Sequence, residues 1–374
     1  MGSFHVVRRE YHHRHLWTIS VDDAKKSPAA GSPVTEGDDF SVGDLDWSPD
    51  GTAIAFSAAI NPDLIHRGTT DLYVVDLADK TPTKIVSQAG PDSSPRWSPD
   101  GRHIVFSTSM EREPFYALNN ELAVVPASGG DIRVLTASFD ERPRVVAWNE
   151  DGVYFWAFQK TASHLFRIEP ATGAIERLSA PDDLMADSFT FSRGGRHAAF
   201  VSITPTSLRE VRHTSVAPFS PRTLTDSSEQ ISELELGSRE LISWKSEDGT
   251  EIEGVLIKPA DFDPNVKHPL LCVIHGGPTG IDRPYFRETR TYPVDIWAAR
   301  GALILKVNYR GSAGYGEAFR TLNVRNLGVG DAWDVLSGVE HLIDQGWVDP
   351  ERVGCMGWSQ GGYISAFLTA STDR

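Results

Sequence analysis

Short segments rich in tryptophan, proline and glycine recur along the N-terminal part of the chain. Residues 46–51 are DWSPDG, residues 96–101 are RWSPDG, residues 147–152 are AWNEDG, and residues 190–195 (TFSRGG) form a degenerate fourth copy. Their aromatic residues lie 50, 51 and 43 positions apart. A strand-like run follows each of the four copies, and a second strand-like run comes further on after the first three. Repeats of this length, made of short strands, predict the blades of a β-propeller of the TolB/WD-like kind.

The residues of the repeat have structural explanations. Proline presets a turn and glycine accepts a positive φ angle, so the Pro-Asp-Gly segment is expected to join two strands of one blade. The tryptophans are expected to pack between neighbouring blades. Residues 16–19 resemble the second strand of a blade but have no motif before them. We therefore predict a partial propeller over residues 1–236, with four blades, the tail of a fifth, and open blade edges that favour association between chains.

The pattern changes after residue 236. Residues 243–257 predict a hairpin around the turn Asp248-Gly249. Apolar runs at residues 270–274 and 302–307 then alternate with helical patterns, among them an amphipathic segment at residues 330–345. This alternation indicates a mostly parallel α/β sheet.

The segment Gly357-Trp358-Ser359-Gln360-Gly361 has the arrangement of a nucleophile elbow, because a short apolar strand precedes it and a helical pattern follows. The central residue of such a turn is strained, and the flanking glycines remove Cβ atoms that would clash. Ser359 is the predicted nucleophile, and the N–H of Gln360 is predicted to face the forming oxyanion. The alternative is a glycine-rich turn with a bystander serine. We expect residues 237–374 to form the N-terminal part of an α/β-hydrolase domain.

A second oxyanion donor is predicted in the loop His275-Gly276-Gly277-Pro278, which follows an earlier strand. In α/β-hydrolases this loop supplies the second N–H, and glycine allows the backbone to approach the substrate oxygen closely. We assign that N–H to Gly277. For His275 we favour a structural role, since the base in hydrolases of this kind follows the nucleophile along the chain.

Four motifs, in this order, resemble those of the prolyl oligopeptidase family of serine peptidases. They are the Trp-Ser-Pro-Asp-Gly blades, the loop at residues 275–278, the segment NYRGSAGYG at residues 308–316 and the elbow at residues 357–363. The loop is most similar to that of the acylaminoacyl-peptidase or dipeptidyl-peptidase-like branch. The resemblance implies a propeller that caps the hydrolase domain and admits short peptides to a cavity between them. It also places Arg310 and Tyr315 near the active site, where they bind substrate or pack the loop.

The resemblance implies a triad in the order Ser, Asp, His, but only 15 residues follow Ser359. They include Asp373 and no histidine, and all 12 histidines precede Ser359. A serine without a base is a poor nucleophile. We therefore expect a fragment, truncated at both ends, with little or no peptidase activity alone. Two alternatives stay open: a non-catalytic propeller protein that binds a partner through its blades and has a vestigial hydrolase domain, or an esterase or amidase of the same fold.

The net charge and composition of the chain argue against several classes of partner. A net charge of −15 argues against nucleic acid and anionic membranes. The longest apolar runs are too short to span a bilayer, and no secretory signal is visible. Two cysteines in predicted buried strands suit a cytoplasmic protein. The run His12-His13-Arg14-His15 fits no standard metal spacing, and no phosphate loop occurs, so we expect neither metal nor cofactor.

Overall fold

The structure, a computed structural model, describes residues 11–113, 116–179, 185–286 and 291–372. It begins with a two-stranded sheet of β1 (Trp17–Thr18) and β2 (Ser32–Pro33), which are joined by the one-turn helix α1 (Val21–Ala24). In the described part of the chain, four four-stranded antiparallel sheets follow. Each sheet is a meander whose strands pair in chain order. This confirms the predicted propeller blades.

The strands of the four blades have these bounds: β3 (Ser41–Trp47), β4 (Ala53–Ala59), β5 (Asp71–Asp76) and β6 (Pro82–Val86); β7 (Asp92–Trp97), β8 (His103–Thr108), β9 (Glu121–Pro126) and β10 (Arg133–Val134); β11 (Arg144–Asn149), β12 (Gly152–Gln159), β13 (Ala162–Ile168) and β14 (Ile175–Arg177); β15 (Met185–Phe191), β16 (His197–Ile203), β17 (Glu210–Ser215) and β18 (Arg222–Thr223). Two 3₁₀ helices lie in connections, at Leu64–Thr69 and Ser227–Ile231.

The repeated motif forms the turn between the first two strands of a blade. In the first blade, Ser48 Oγ donates to Asp50 Oδ1 at 2.6 Å, and the Thr52 N–H donates to the same oxygen at 3.0 Å. Gly51 follows with φ = 75°. The second blade repeats this turn with the same donors and distances. The motif therefore closes its turn by local hydrogen bonds, which explains its recurrence.

The packing of the motif tryptophans differs between blades. Trp97 is buried between the first and second blades, and its Nε1–H donates to the Asp46 carbonyl of the preceding blade at 3.2 Å. Trp47 is 46% exposed. The expectation that each tryptophan packs between blades is thus wrong for Trp47, since the sheet before its blade has only two short strands.

A five-stranded mixed sheet forms the second half. Its strands are β19 (Ser238–Lys245), β20 (Glu251–Lys258), β21 (His268–Ile274), β22 (Leu303–Asn308) and β23 (Val348–Gly357), in the spatial order β19-β20-β22-β21-β23. The pairs β19/β20 and β20/β22 are antiparallel, whereas β21 is parallel to both β22 and β23. Its helices are α2 (Val294–Ala298), α3 (Gly316–Thr321), α4 (Gly330–Asp344) and α5 (Gln360–Ser371).

The core of this sheet lies under α4 and α5. Val335, Val339 and Leu342 of α4 are buried against strands of the sheet, as the amphipathic pattern of this segment predicts. The predicted domain boundary at residue 236 lies between the end of β18 and the start of β19. The boundary itself stays a prediction. Among the described residues, no helix is both long and apolar enough to span a bilayer.

The third blade docks on the loop before α3. The Gly314 N–H donates to Glu141 Oε2 at 2.6 Å, and the Lys160 N–H donates to the Gly314 carbonyl at 2.6 Å. Glu141 also forms an ion pair with Arg320, and both side chains are at most 5% exposed. These contacts fix the propeller to the second half of the chain close to the candidate site.

Candidate active site

Ser359 occupies a sharp turn between β23 and α5. Its backbone has φ = 55° and ψ = −119°, a conformation that residues other than glycine rarely adopt. The residue is exposed, and its side chain does not cap the helix. A strained serine whose hydroxyl is not used by the fold is the geometry that the elbow motif predicts.

The two flanking glycines are required by the backbone around them. A Cβ at position 357 would lie 2.4 Å from the Gly361 carbonyl carbon and 2.6 Å from the Ile274 oxygen. A Cβ at position 361 would lie 2.0 Å from the Ile274 oxygen. All these neighbours are backbone atoms, which cannot rotate away. The turn is therefore pressed against the end of β21.

The oxyanion side of the site combines a helix end with a loop. α5 begins at Gln360, and the first N–H groups of a helix have no acceptor within the helix. The loop after β21 lies against the elbow, because a Cβ at Gly276 would be 2.8 Å from the Trp358 oxygen and 3.1 Å from Ser359 Cβ. Gly277 comes next, with φ = 141°. Gly277 and Gln360 are thus near the serine, and their donor roles stay predictions.

The carboxylate of Asp331, which no sequence motif indicated, supports the elbow through Gln360. Gln360 Nε2 donates to Asp331 Oδ2 at 2.7 Å, and the Gly328 and Ala332 N–H groups donate to Asp331 Oδ1. Asp331 is completely buried at the start of α4. Burial raises the pKa of this carboxyl, while its hydrogen bonds partly oppose the shift. An acidic residue at a helix start was the only sequence signal, and it did not point to Gln360.

His275 has a structural environment. One ring nitrogen, Nδ1, lies 2.9 Å from the Gly276 oxygen, and Nε2 lies 3.1 Å from Ser312 Oγ. The ring stacks on Tyr309 at 4.4 Å, and burial lowers its pKa. The Tyr309 hydroxyl donates to the His275 carbonyl at 2.9 Å. These contacts agree with the structural interpretation of His275.

Arg310 lies in a buried ion-pair network. Its guanidinium bonds Asp334 at 2.8 and 3.0 Å and Asp248 at 2.8 and 3.1 Å, and Nη2 also donates to Ser246 Oγ. Arg310 is 2% exposed and Asp334 is fully buried. This arrangement supports the loop-packing alternative. A substrate role for Arg310 stays a prediction that these contacts do not favour.

Tyr315 is likewise engaged within the protein. Its hydroxyl donates to Glu253 Oε1 at 2.7 Å and accepts from Asn308 Nδ2 at 3.1 Å. Burial and the neighbouring Glu253 raise the pKa of this phenol well above its ordinary value. The hydroxyl therefore stays protonated and holds the loop on β20. A substrate role for Tyr315 stays a prediction as well.

Within the described ranges, no histidine or carboxylate forms a hydrogen bond with the Ser359 side chain. Asp373 lies outside the described residues. The site thus brings together a strained serine, a helix N-terminus and a glycine loop. This set can attack and stabilise an acyl centre, but a base for the serine is not among its contacts.

The sheets and the elbow define an α/β-hydrolase fold with an N-terminal propeller. Residues 287–374 match the model described as "Prolyl oligopeptidase family". This match covers the C-terminal part of the chain, which includes the elbow.

Relatives of known name agree with the fold. Dipeptidyl-peptidase 5 of Porphyromonas gingivalis is 24% identical over 384 residues, which cover 97% of this chain and 55% of the relative. The Pyrococcus horikoshii acylaminoacyl peptidase superposes with a TM-score of 0.73 at 23% identity, over 88% of this chain and 50% of that chain. A Mycobacterium tuberculosis puromycin-hydrolyzing peptidase has a TM-score of 0.69 at 18% identity, over 97% and 65%. The chain spans about half the length of the first two relatives.

Proposed function

We propose that Ser359 is the nucleophile of a serine peptidase that hydrolyses short peptides through an acyl-enzyme. The observation that carries the proposal is the elbow, in which an exposed serine is strained at φ = 55° between two glycines that the backbone requires. A turn built for packing alone has no need of a polar side chain presented to solvent in a strained conformation. The names of the relatives support peptide bonds as the substrate class.

In the proposed mechanism, Ser359 Oγ attacks the carbonyl carbon of the substrate and its proton passes to a base. The carbonyl oxygen becomes an oxyanion that accepts hydrogen bonds from the N–H groups of Gln360 and Gly277. The intermediate collapses as the C–N bond breaks, the leaving amine takes the proton, and water then hydrolyses the ester on Ser359. Loss of one oxyanion donor typically lowers the rate about 100- to 1000-fold.

The proposed base is not supplied by the described contacts of Ser359. In a comparable enzyme, removal of the base lowers the rate roughly a million-fold. We therefore propose that the 374-residue chain alone has little or no peptidase activity. The proposal extends to a cytoplasmic location, supported by the free cysteines Cys272 and Cys355. Preference for short peptides and association through blade edges belong to the same proposal and stay predictions.

The test is labelling of the purified chain with a fluorophosphonate probe, which phosphonylates an activated serine and needs no knowledge of the substrate. We expect slow labelling that imidazole in the buffer accelerates, because a soluble base replaces the missing one. Mass spectrometry locates the adduct, and Ser359→Ala is the control. An unlabelled, folded chain at every imidazole concentration, or an adduct elsewhere, contradicts the assignment of Ser359. Fast labelling without imidazole contradicts the inference that the base is missing.

A further inference from the structure

A cavity of about 470 Å³ opens beside the elbow. Its floor is a face of the mixed sheet, with Val255 and Ile257 of β20 and Val273 of β21. Trp358 and Gly276, the neighbours of the proposed nucleophile and oxyanion donor, form one wall. A volume of this size suits a small ligand or a few residues of a peptide. A substrate whose scissile carbonyl lies at Ser359 thus has room to extend into this cavity.

Of the three Lys and Arg side chains that line the cavity, two form ion pairs with carboxylates. Lys306 pairs with Asp282 at 2.5 Å, and Arg239 pairs with Asp295. Arg283 also lines the cavity, but within the described ranges it forms no ion pair. The cavity therefore holds one guanidinium that forms no ion pair among the described residues, although the Asp187 carboxylate favours its charge electrostatically.

Arg283 is held in place without being neutralised. Its Nη1–H donates to Ser163 Oγ of the third blade at 3.2 Å. The rings of Phe158 and Tyr285 lie 5.2 and 4.9 Å from the guanidinium carbon. Burial lowers the pKa of Arg283, while Tyr285 and the Asp187 carboxylate partly oppose the shift, so the surroundings do not fully compensate the charge of the guanidinium. A positioned cation in a partly dehydrated wall attracts an anion more strongly than a solvated one does.

Two further polar atoms of the lining residues are incompletely bonded. Arg239 Nε and Asp282 Oδ2 are buried and have no hydrogen-bond partner among the described residues. Unsatisfied buried donors and acceptors are rare in folded proteins and are typical of places that a ligand or water completes. They are independent of Arg283 and belong to residues that line the same cavity. Arg239 Nε is a donor that a carboxylate completes, whereas Asp282 Oδ2 is an acceptor that an N–H of the ligand or a water completes.

We propose that this cavity is a substrate subsite that binds a carboxylate, with Arg283 as its charge partner. The inference rests on the proposed function, because the cavity adjoins Ser359. A peptide offers two such groups, its C-terminal carboxylate and an acidic side chain. The net charge of −15 repels anions from the protein as a whole, so a preference for them requires a local cation such as Arg283.

The test uses binding, so that it does not depend on turnover. In the Ser359→Ala background, short N-acetylated peptides are titrated in pairs. Binding is followed as the change in tryptophan fluorescence that is lost in a Trp358→Phe control, since Trp358 lies at the cavity and is 74% exposed. One pair differs in a C-terminal carboxylate or amide, and the other compares a Glu with a Gln side chain. We expect the acid member of one pair to bind about ten- to a hundredfold more tightly, as a charge-assisted hydrogen bond provides. The pair that shows this preference identifies the source of the carboxylate.

Variants of Arg283 separate the subsite from general electrostatics. Arg283→Gln is expected to abolish the preference, and Arg283→Lys is expected to restore part of it. Arg222→Gln removes an exposed arginine of β18 and is expected to leave the preference unchanged. Denaturation midpoints confirm that each variant is folded. Three outcomes overturn the subsite: equal binding of the acidic and neutral members in both pairs, no binding of any peptide, or a preference that survives Arg283→Gln. Failure of the proposed nucleophile, in contrast, appears only in the labelling of Ser359.

Discussion

Gly361→Ala tests whether the elbow is imposed by its backbone neighbours. The new Cβ would lie 2.0 Å from the Ile274 oxygen, 2.7 Å from the Ile274 carbon and 2.8 Å from the His275 oxygen. All three are backbone atoms, so relief requires that α5 and β21 move apart. Overpacking against flexible side chains typically costs about 1–3 kcal/mol. We therefore expect Gly361→Ala to lower the free energy of unfolding by more than about 3 kcal/mol.

Two other glycines of the same region serve as controls. A Cβ at Gly354 in β23 would lie 3.8 Å from Leu271 Cδ1, an ordinary contact, so Gly354→Ala is expected to change stability by less than about 1 kcal/mol. A Cβ at Gly362 would lie 3.2 Å from the Gly357 oxygen, a tight contact that the helix propensity of alanine, about 1 kcal/mol, roughly offsets. Urea unfolding, followed by tryptophan fluorescence and circular dichroism, gives the midpoint and slope of each variant. If Gly361→Ala is as stable as Gly354→Ala, the clash argument is refuted.

Three further predictions concern buried charges. Asp92 is fully buried, and burial raises the pKa of its carboxyl group to about 6. The contribution of this group to the free energy of unfolding is therefore fully present below the unfolded pKa of about 3.9 and is lost as the pH rises through 6. Asp92→Asn should therefore raise the free energy of unfolding at neutral pH by up to about 3 kcal/mol, with no gain in acid; a pH series of urea titrations measures this. Asp334→Asn should lower stability by about 3–5 kcal/mol, because it leaves the Arg310 guanidinium partly unpaired in the core; an unchanged urea midpoint would contradict this. Asp331→Ala should slow imidazole-assisted labelling of Ser359 more than Asp331→Asn, which keeps an acceptor for Gln360; equal rates would show that Asp331 does not position the elbow.

The blades could be predicted because their motif is self-sufficient. Ser48, Asp50 and Gly51 close the turn by contacts within five residues, so the same letters give the same turn at residues 96–101. The elbow could be predicted for a similar reason, since the glycines at 357 and 361 are local requirements of a strained turn. The exposure of Trp47 could not be predicted from the motif, because it depends on the sheet that precedes its blade.

The supports of the site depend on residues far apart in the chain. Asp331 contacts Gln360 across 29 positions, and Glu141 reaches Gly314 across 173. Spacing carries no information about such pairs. Each of these carboxylates accepts a backbone N–H as well as a side-chain donor, so a mismatch on either partner would leave a buried charge incompletely bonded. The sequence therefore indicated where the reaction centre lies but not what holds it.

The two arginines near the site show why neutralisation separates structural from ligand-binding cations. Arg310 stands in a recognisable motif. Burial disfavours the charge of its guanidinium, but the hydrogen bonds with Asp334 and Asp248 outweigh this effect and raise its pKa. Arg283 stands in no motif, and burial lowers its pKa, a shift that Tyr285 and the Asp187 carboxylate oppose only in part. A cation whose charge is already matched gains little from a further anion, whereas an unmatched one gains the full charge-assisted contact. The ion pairs of Arg310 with Asp248 and Asp334, and the lack of an ion pair at Arg283 among the described residues, thus favour Arg283, and not the motif arginine, as the residue that meets an anionic substrate.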